Sequence, residues 1–173
     1  MPESELTLSC SYSSSSAKSR YRRSRVFVRF PDLRTPLEER PPGSCGTIGS
    51  ARTSPAWAAI YCGNEIQIYD GPAGAPQKTG SVYNFGAIGL DRARPTPPGT
   101  WNDYQIRVRG RHYTVIRNGE VINEFDNTPG KSSSRADDPP TDLRQFARGF
   151  IGLQNHGSDD VVDFRNVRVR ALS

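Results

Sequence analysis

Apolar and polar residues alternate one by one along run after run of this chain, and that period of two is the strongest constraint on its fold. The clearest runs are Val26-Phe27-Val28-Arg29-Phe30, Glu65-Ile66-Gln67-Ile68-Tyr69-Asp70 and Tyr104-Gln105-Ile106-Arg107-Val108-Arg109. Successive side chains of a strand point to opposite faces, so each run has one apolar face to bury and one polar face to display. Between Tyr113–Arg117 and Glu120–Phe125 stands Asn118-Gly119. That pair suits a two-residue type I′ turn because both positions need positive φ, and it predicts a hairpin. The chain closes with two more strands, Gly149–His156 and Val161–Leu172, around the turn Gly157-Ser158-Asp159-Asp160.

Turn formers fill the intervals. With 16 Gly and 14 Pro among 173 residues, the composition suits short strands joined by long loops and leaves little room for helix. Strands at intervals of about ten residues without intervening helices imply an all-β fold, an antiparallel β-sandwich or jelly roll. The length fits one such domain. The expected division is an irregular N-terminal segment over 1–25, with one short strand at Leu6–Cys10, and a single jelly-roll domain over 26–173. The serine run Ser13–Ser16 has too little apolar side chain to offset its ordering entropy, so Ser11–Ser24 reads as a hairpin loop or disordered link. The stretch Asp32–Pro55 reads as a large surface loop of the kind that covers functional sites.

The net charge of +5 arises from 23 Lys and Arg against 18 Asp and Glu, and the arginines alternate along strands, as solvated faces do. A nucleic-acid surface would gather them on one face with aromatic platforms between, so no nucleic-acid partner is expected. No run approaches the about 20 apolar residues that span a bilayer. Of the three cysteines, Cys10, Cys45 and Cys62, none belongs to a CxxC pair. A Cys45–Cys62 bridge would stabilise by about 3 kcal/mol through loop closure and imply an oxidising compartment. Two reduced, buried thiols are the alternative.

Strand parity assigns a polar face. In Glu65–Asp70, Ile66 and Ile68 point one way and Glu65, Gln67 and Tyr69 the other; near the C-terminus Ile151 and Leu153 oppose Gly152, Gln154 and His156. If these strands neighbour one another, Arg29, Glu65, Gln67, Gln154 and His156 share one surface, with Gly152 leaving space between them. Planar amides and carboxylates take paired sugar hydroxyls, and Tyr69 and Trp101 are candidates to stack on a sugar ring. Ordinary exposed strand residues, with Arg29 and Glu65 as a cross-strand pair, are the alternative.

Several of these stretches together resemble a known family. GFIGLQNHG (149–157) and FRNVRVR (164–170), with VFVRF, EIQIYD and PPGTWNDYQIRVRG ahead of the Asn-Gly hairpin, resemble the 3-keto-disaccharide hydrolase domain family. The resemblance implies a concanavalin A-like jelly roll of the lectin/glucanase type, related in fold to the family 16 glucanases. It also implies action on glycosides oxidised at carbon 3 and an extracytoplasmic or secreted setting. Some members are accessory domains of larger carbohydrate-active proteins and only bind. Members usually begin with further N-terminal strands that are absent from this sequence.

Glu65, Gln67 and Asp70 are similar to the ExDxxE strand of the glucanases, with Gln67 for the middle carboxylate. A retaining glycosidase needs two carboxyls about 5 to 5.5 Å apart on one face. Glu65 and Asp70 have opposite parity, which argues against double displacement. A 3-keto sugar needs less: the ketone acidifies the hydrogen on carbon 2, one base removes it, and the leaving group departs by elimination before water adds. Glu65 or His156 can serve as the base, with Arg29, Gln67 and Gln154 orienting sugar oxygens, and a divalent metal on Glu65 and His156 is a further option. The expected function is a hydrolase or lyase of 3-keto-glycosides. Its alternatives are a non-catalytic, lectin-like carbohydrate-binding module using Trp101 and an interaction domain within a larger protein or assembly.

Overall fold

The structure, a computed structural model, describes residues 5–14, 24–29, 63–71, 77–136, 138–145, 150–155 and 161–172. Eight strands account for most of them: β1 Glu5–Ser14, β2 Ser24–Arg29, β3 Asn64–Ile68, β4 Asn102–Arg109, β5 His112–Arg117, β6 Glu120–Asp126, β7 Phe150–Asn155 and β8 Val162–Leu172. Helix among the described residues is confined to Leu90–Ala93 and a 3-10 turn at Thr141–Arg144. None of it is long and apolar enough to cross a membrane.

All the strand pairs are antiparallel and fall into two sheets. The larger runs β6-β5-β4-β1-β8 and the smaller β3-β2-β7. One core joins them, because Cys10 and Tyr12 of β1, the even-numbered residues of β4 and the odd ones of β5 bury against the even ones of β3. Cys10, Tyr12, Tyr104, Ile106, Val108, Tyr113 and Val115 meet Ile66 and Ile68 in one cluster, with Ile151 of β7 packed against it. This is the sandwich that alternation predicts. Two polar tips that enter the core find partners across it: the Tyr104 hydroxyl donates to the Gln67 carbonyl at 3.2 Å, and the Asn64 amide donates to the Tyr113 hydroxyl at 3.1 Å.

The Asn118-Gly119 hairpin forms as expected, with φ of 50° and 85° at its two turn residues. The N-terminus departs from expectation. β1 reaches Ser14 rather than ending at Cys10 and lies between β4 and β8, paired along its length on both sides. A strand flanked on both edges has its backbone bonds satisfied by the ladder, and Tyr12, 1 % exposed, adds an anchor within the segment read as loop. The chain from Glu5 therefore belongs to the sandwich.

The smaller sheet gains a further edge from the segment after residue 77. The Gln67 amide donates to the Ser81 carbonyl at 2.9 Å, the Tyr83 amide to the Glu65 carbonyl at 2.8 Å, and Val82 bridges Ile66.

Candidate functional site

The register of the smaller sheet brings the polar positions into rows. Gln67 of β3 stands opposite position 25 of β2, which stands opposite Gln154 of β7; Glu65, position 27 and Gly152 form the next row, and position 29 pairs with Phe150. Residues directly opposite share a face, and Ile66, Ile68 and Ile151 of the other parity are in or against the core. Glu65, Gln67 and Gln154 therefore lie together on the outward face of the β3-β2-β7 sheet. With two strand spacings between them, the backbones at Gln67 and Gln154 are roughly 10 Å apart, the span of a sugar ring with its substituents.

Outward does not mean exposed here. Glu65 is 3 % exposed and Gln67 1 %. Two loops wall this region, and they are tied to each other. Asn84 donates its amide to Asp138 at 2.5 Å and receives the Ser134 amide on its carbonyl at 2.9 Å. The second loop is tied to the end of β6: Asn127 donates to the Arg144 carbonyl at 3.0 Å, and Gln145 donates to the Asn127 carbonyl at 2.7 Å.

That loop delivers Arg144, a residue that no strand period in the sequence marks. Its guanidinium is buried, donates to the carbonyls of Gly63 and Pro139, and lies over the Phe85 ring at 4.6 Å. Burial pushes its pKa down to about 10, while the nearby charges of Asp138 and Glu65 pull it up. It is still cationic at neutral pH, so a fixed positive charge stands by the Glu65 carboxylate. The Gln154 amide oxygen, on β7, is shielded from water and accepts no hydrogen bond among the described residues. A buried acceptor left in that state is a place for a donor to arrive, such as a ligand hydroxyl.

The two carboxylates of Glu65–Asp70 part company. Asp70, beyond the end of β3, receives a bidentate grip from Arg117 of β5, at 2.9 and 2.5 Å, and a third bond from the Thr79 hydroxyl at 2.6 Å. It serves as a structural anchor and is no second carboxyl for Glu65.

The expected site residues sort accordingly. Glu65, Gln67 and Gln154 share the face, and position 29 occupies it in the register. Tyr69 is 6 % exposed, with its ring folded over Gly71 and the Lys78 ammonium 4.9 Å from its centre, so it offers no open platform. Trp101 stands elsewhere: it precedes β4 and shares the parity of Asp103 and Gln105 on the outside of the other sheet, with the Arg165 guanidinium 3.9 Å from its ring. His156, Cys45 and Cys62 lie outside the described residues, and with them the His156 half of the expected metal pair and the expected bridge. Cys10 is a free, buried thiol, pushed up to about 11 by burial and then by Asp103. No group of three or more His, Cys, Asp or Glu placed to hold a metal occurs among the described residues.

Comparison with known proteins agrees with the architecture. Residues 6–170 match the model of the 3-keto-alpha-glucoside-1,2-lyase-like domain, and the chain belongs to that family. A crystal structure of a protein from Parabacteroides distasonis ATCC 8503, named as a candidate glycosyl hydrolase, superposes with a TM-score of 0.67 at 25% identity, covering 99% of this chain and 84% of that one. A second structure from the same organism, named likewise, gives 0.59 at 16% identity over 98% and 72% and bears on the fold alone. No match was found among curated proteins. The family and the first neighbour together support a carbohydrate-active role.

Proposed function

We propose that this domain cleaves 3-keto-glycosides by base-assisted elimination on the outward face of its β3-β2-β7 sheet. The observation that carries the reading is the register that sets Gln67 in one row with Gln154 and Glu65 in the adjoining row of the same face, with the Arg144 cation close by. Glu65 takes the proton from carbon 2, whose bonding electrons move towards the keto oxygen as an enolate. The enolate then re-forms the ketone as a carbon 1–carbon 2 double bond forms and the bond to the leaving oxygen breaks. That oxygen takes up a proton, and water adds across the double bond at carbon 1.

Each role follows from the chemistry of its group. A fixed cation such as Arg144 stabilises negative charge developing on oxygen, an effect worth about 10²–10³ in rate for one well-placed donor. Gln67 and Gln154 orient ring hydroxyls, and Gln154 supplies an acceptor. Arg29 and His156 remain members of the proposed site, with His156 as an alternative base or, with Glu65, a ligand for a divalent metal.

The test is product analysis by mass spectrometry after incubating the protein with trehalose and cellobiose and with their 3-oxidised forms, with and without chelator. Cleavage restricted to the oxidised sugars, lost in Glu65→Gln with binding retained, is the expected result. Equal turnover by Glu65→Gln would remove Glu65 from the reaction, and the absence of cleavage in folded protein would leave a binding module.

A further inference from the structure

The five-stranded sheet also has an outward face, built quite differently. Between β4 and the edge strand β8 lies β1, whose described outward side chains are Thr7, Ser9 and Ser11. The register flanks them on both sides with longer side chains: Thr7 lies between Arg107 and Arg170, Ser9 between Gln105 and Arg168, and Ser11 between Asp103 and Arg165. Small residues on the middle strand and long ones on its neighbours make a trough. Thr7 and Ser11 are 8 % and 7 % exposed, although they face away from the core, while the four arginines are exposed. With two strand spacings from wall to wall, the trough is roughly 10 Å across at the backbone.

A cleft of about 320 Å³ opens in its middle, lined among others by Ser9, Ser11, Gln105, Asn166 and Arg168. Asn166 reaches it through a bulge. The β1–β8 register slips between Ser9 and Ser11, and Asn166 adopts φ of 54°, a conformation that re-aims a strand side chain. Arg109 adds a fifth arginine on β4. The carboxylate-bearing positions on this half of the face are position 5 at the start of β1, opposite Arg109; Asp103, which accepts from Ser11 at 2.9 Å; and Asp163 near the start of β8. Glu124 and Asp126 stand on the far edge strand, β6, and face His112.

We infer that this trough is a second binding site, for a single chain of an anionic polysaccharide bearing carboxylate or sulfate groups. It is separate from the Glu65 face and does not depend on the keto-sugar reading. Guanidinium groups take carboxylate and sulfate oxygens two at a time, and arginines spaced along two parallel walls can do so repeatedly. The hydroxyl and amide groups on the floor suit sugar hydroxyls, and Trp101 closes one end beside Arg165.

Charge alone would also admit nucleic acid, but shape opposes it. A recessed trough cannot enter the groove of a duplex. Single strands are held by successive aromatic platforms, whereas among the described residues the trough itself offers the Trp101 ring, covered on one side by Arg165.

The test is a binding titration of the whole protein with polygalacturonate, a heparin oligosaccharide, neutral dextran and a single-stranded oligonucleotide of equal charge. Saturable binding to at least one of the two anionic saccharides is expected, weakening with salt and absent for dextran. The double substitution Arg168→Glu and Arg170→Glu is expected to weaken it at least tenfold with the circular dichroism spectrum unchanged. Arg92→Glu, on the helical turn before β4, and Glu65→Gln are expected to leave it unaltered. No binding to either polysaccharide, an equal loss in Arg92→Glu, or tighter binding of the oligonucleotide would overturn the inference.

Discussion

Arg117 and Asp70 form a two-pronged ion pair across the sandwich, with the guanidinium wholly buried and the carboxylate 21% exposed. Arg117 also donates to Asn102, to the Ala93 carbonyl and to Thr96, so one side chain ties together the exit of β3, the helical turn and the entry to β4.

Removing one partner of such a pair strands the rest. Arg117→Met leaves the Asp70 carboxylate and several acceptors without their donor and is expected to cost about 3–5 kcal/mol in urea unfolding. Asp70→Asn keeps the shape and one acceptor and is expected to cost less. Because Asp70 sits away from the Glu65 face, Asp70→Asn should turn over 3-keto substrate normally per folded molecule. A stable Asp70→Asn protein without activity would return Asp70 to the site.

The separation of the two carboxylates was half legible in the sequence. Parity put Glu65 and Gln67 on one face and Ile66 and Ile68 on the other, because a period of two is a local property of the chain. The destination of Asp70 was hidden, since its partner lies 47 residues away on the other sheet. Trp101 differs in parity from Tyr104, Ile106 and Val108, so its outward direction was readable, but nothing local reveals on which sheet a strand lies. Arg144 escaped notice because a loop has no period; its place comes from hydrogen bonds to Gly63 and Pro139. The serine-rich start of the chain misled for a related reason: the two neighbouring strands satisfy the β1 backbone whatever its composition.

Two glycines share the left-handed conformation but differ in surroundings. Gly119, with φ of 85°, has open space where a Cβ would go, whereas at Gly80, φ 94°, a Cβ would stand 2.5 Å from Ile122 Cδ1. Gly119→Ala should cost about 1 kcal/mol from backbone strain alone. Gly80→Ala adds overpacking and should cost about 1–3 kcal/mol more. Equal midpoint shifts in denaturant would show that the Ile122 side chain yields without cost.

His112 gives the protein a small pH dependence of predictable sign. A hydrogen bond to Asp126 at 2.7 Å, with further help from the Asp126 and Glu124 charges, raises its pKa against a modest opposing effect of burial. A raised folded pKa means the proton is held more tightly in the folded state. The stabilisation is therefore full below the unfolded value, near 6.5, and fades as pH rises through the folded pKa. The pair is substantially exposed, so the effect should stay below about 1 kcal/mol and shrink in high salt. Unfolding curves between pH 5 and 9 should show the difference between wild type and His112→Ala narrowing as pH increases; a difference that is constant with pH would mean the contact acts by packing alone.

Gln154 separates binding from stability more sharply than any other residue on the proposed face. Its buried amide oxygen accepts nothing among the described residues, so the folded protein bears a desolvation cost of about 1–3 kcal/mol for it. Gln154→Met keeps the length of the side chain and removes that cost. It should leave stability unchanged or raise it by about 1 kcal/mol, since an apolar replacement nearly isosteric with the amide forfeits no bond. If the oxygen exists to accept a sugar hydroxyl, the same substitution should raise KM for 3-keto substrates about tenfold, the worth of one hydrogen bond to a buried neutral acceptor. Unfolding curves and kinetics on one preparation decide the matter. A stabilised enzyme with weakened substrate binding assigns Gln154 to the ligand, whereas a destabilised one with unchanged KM means the amide is bonded within the fold and the site lies elsewhere on the sheet.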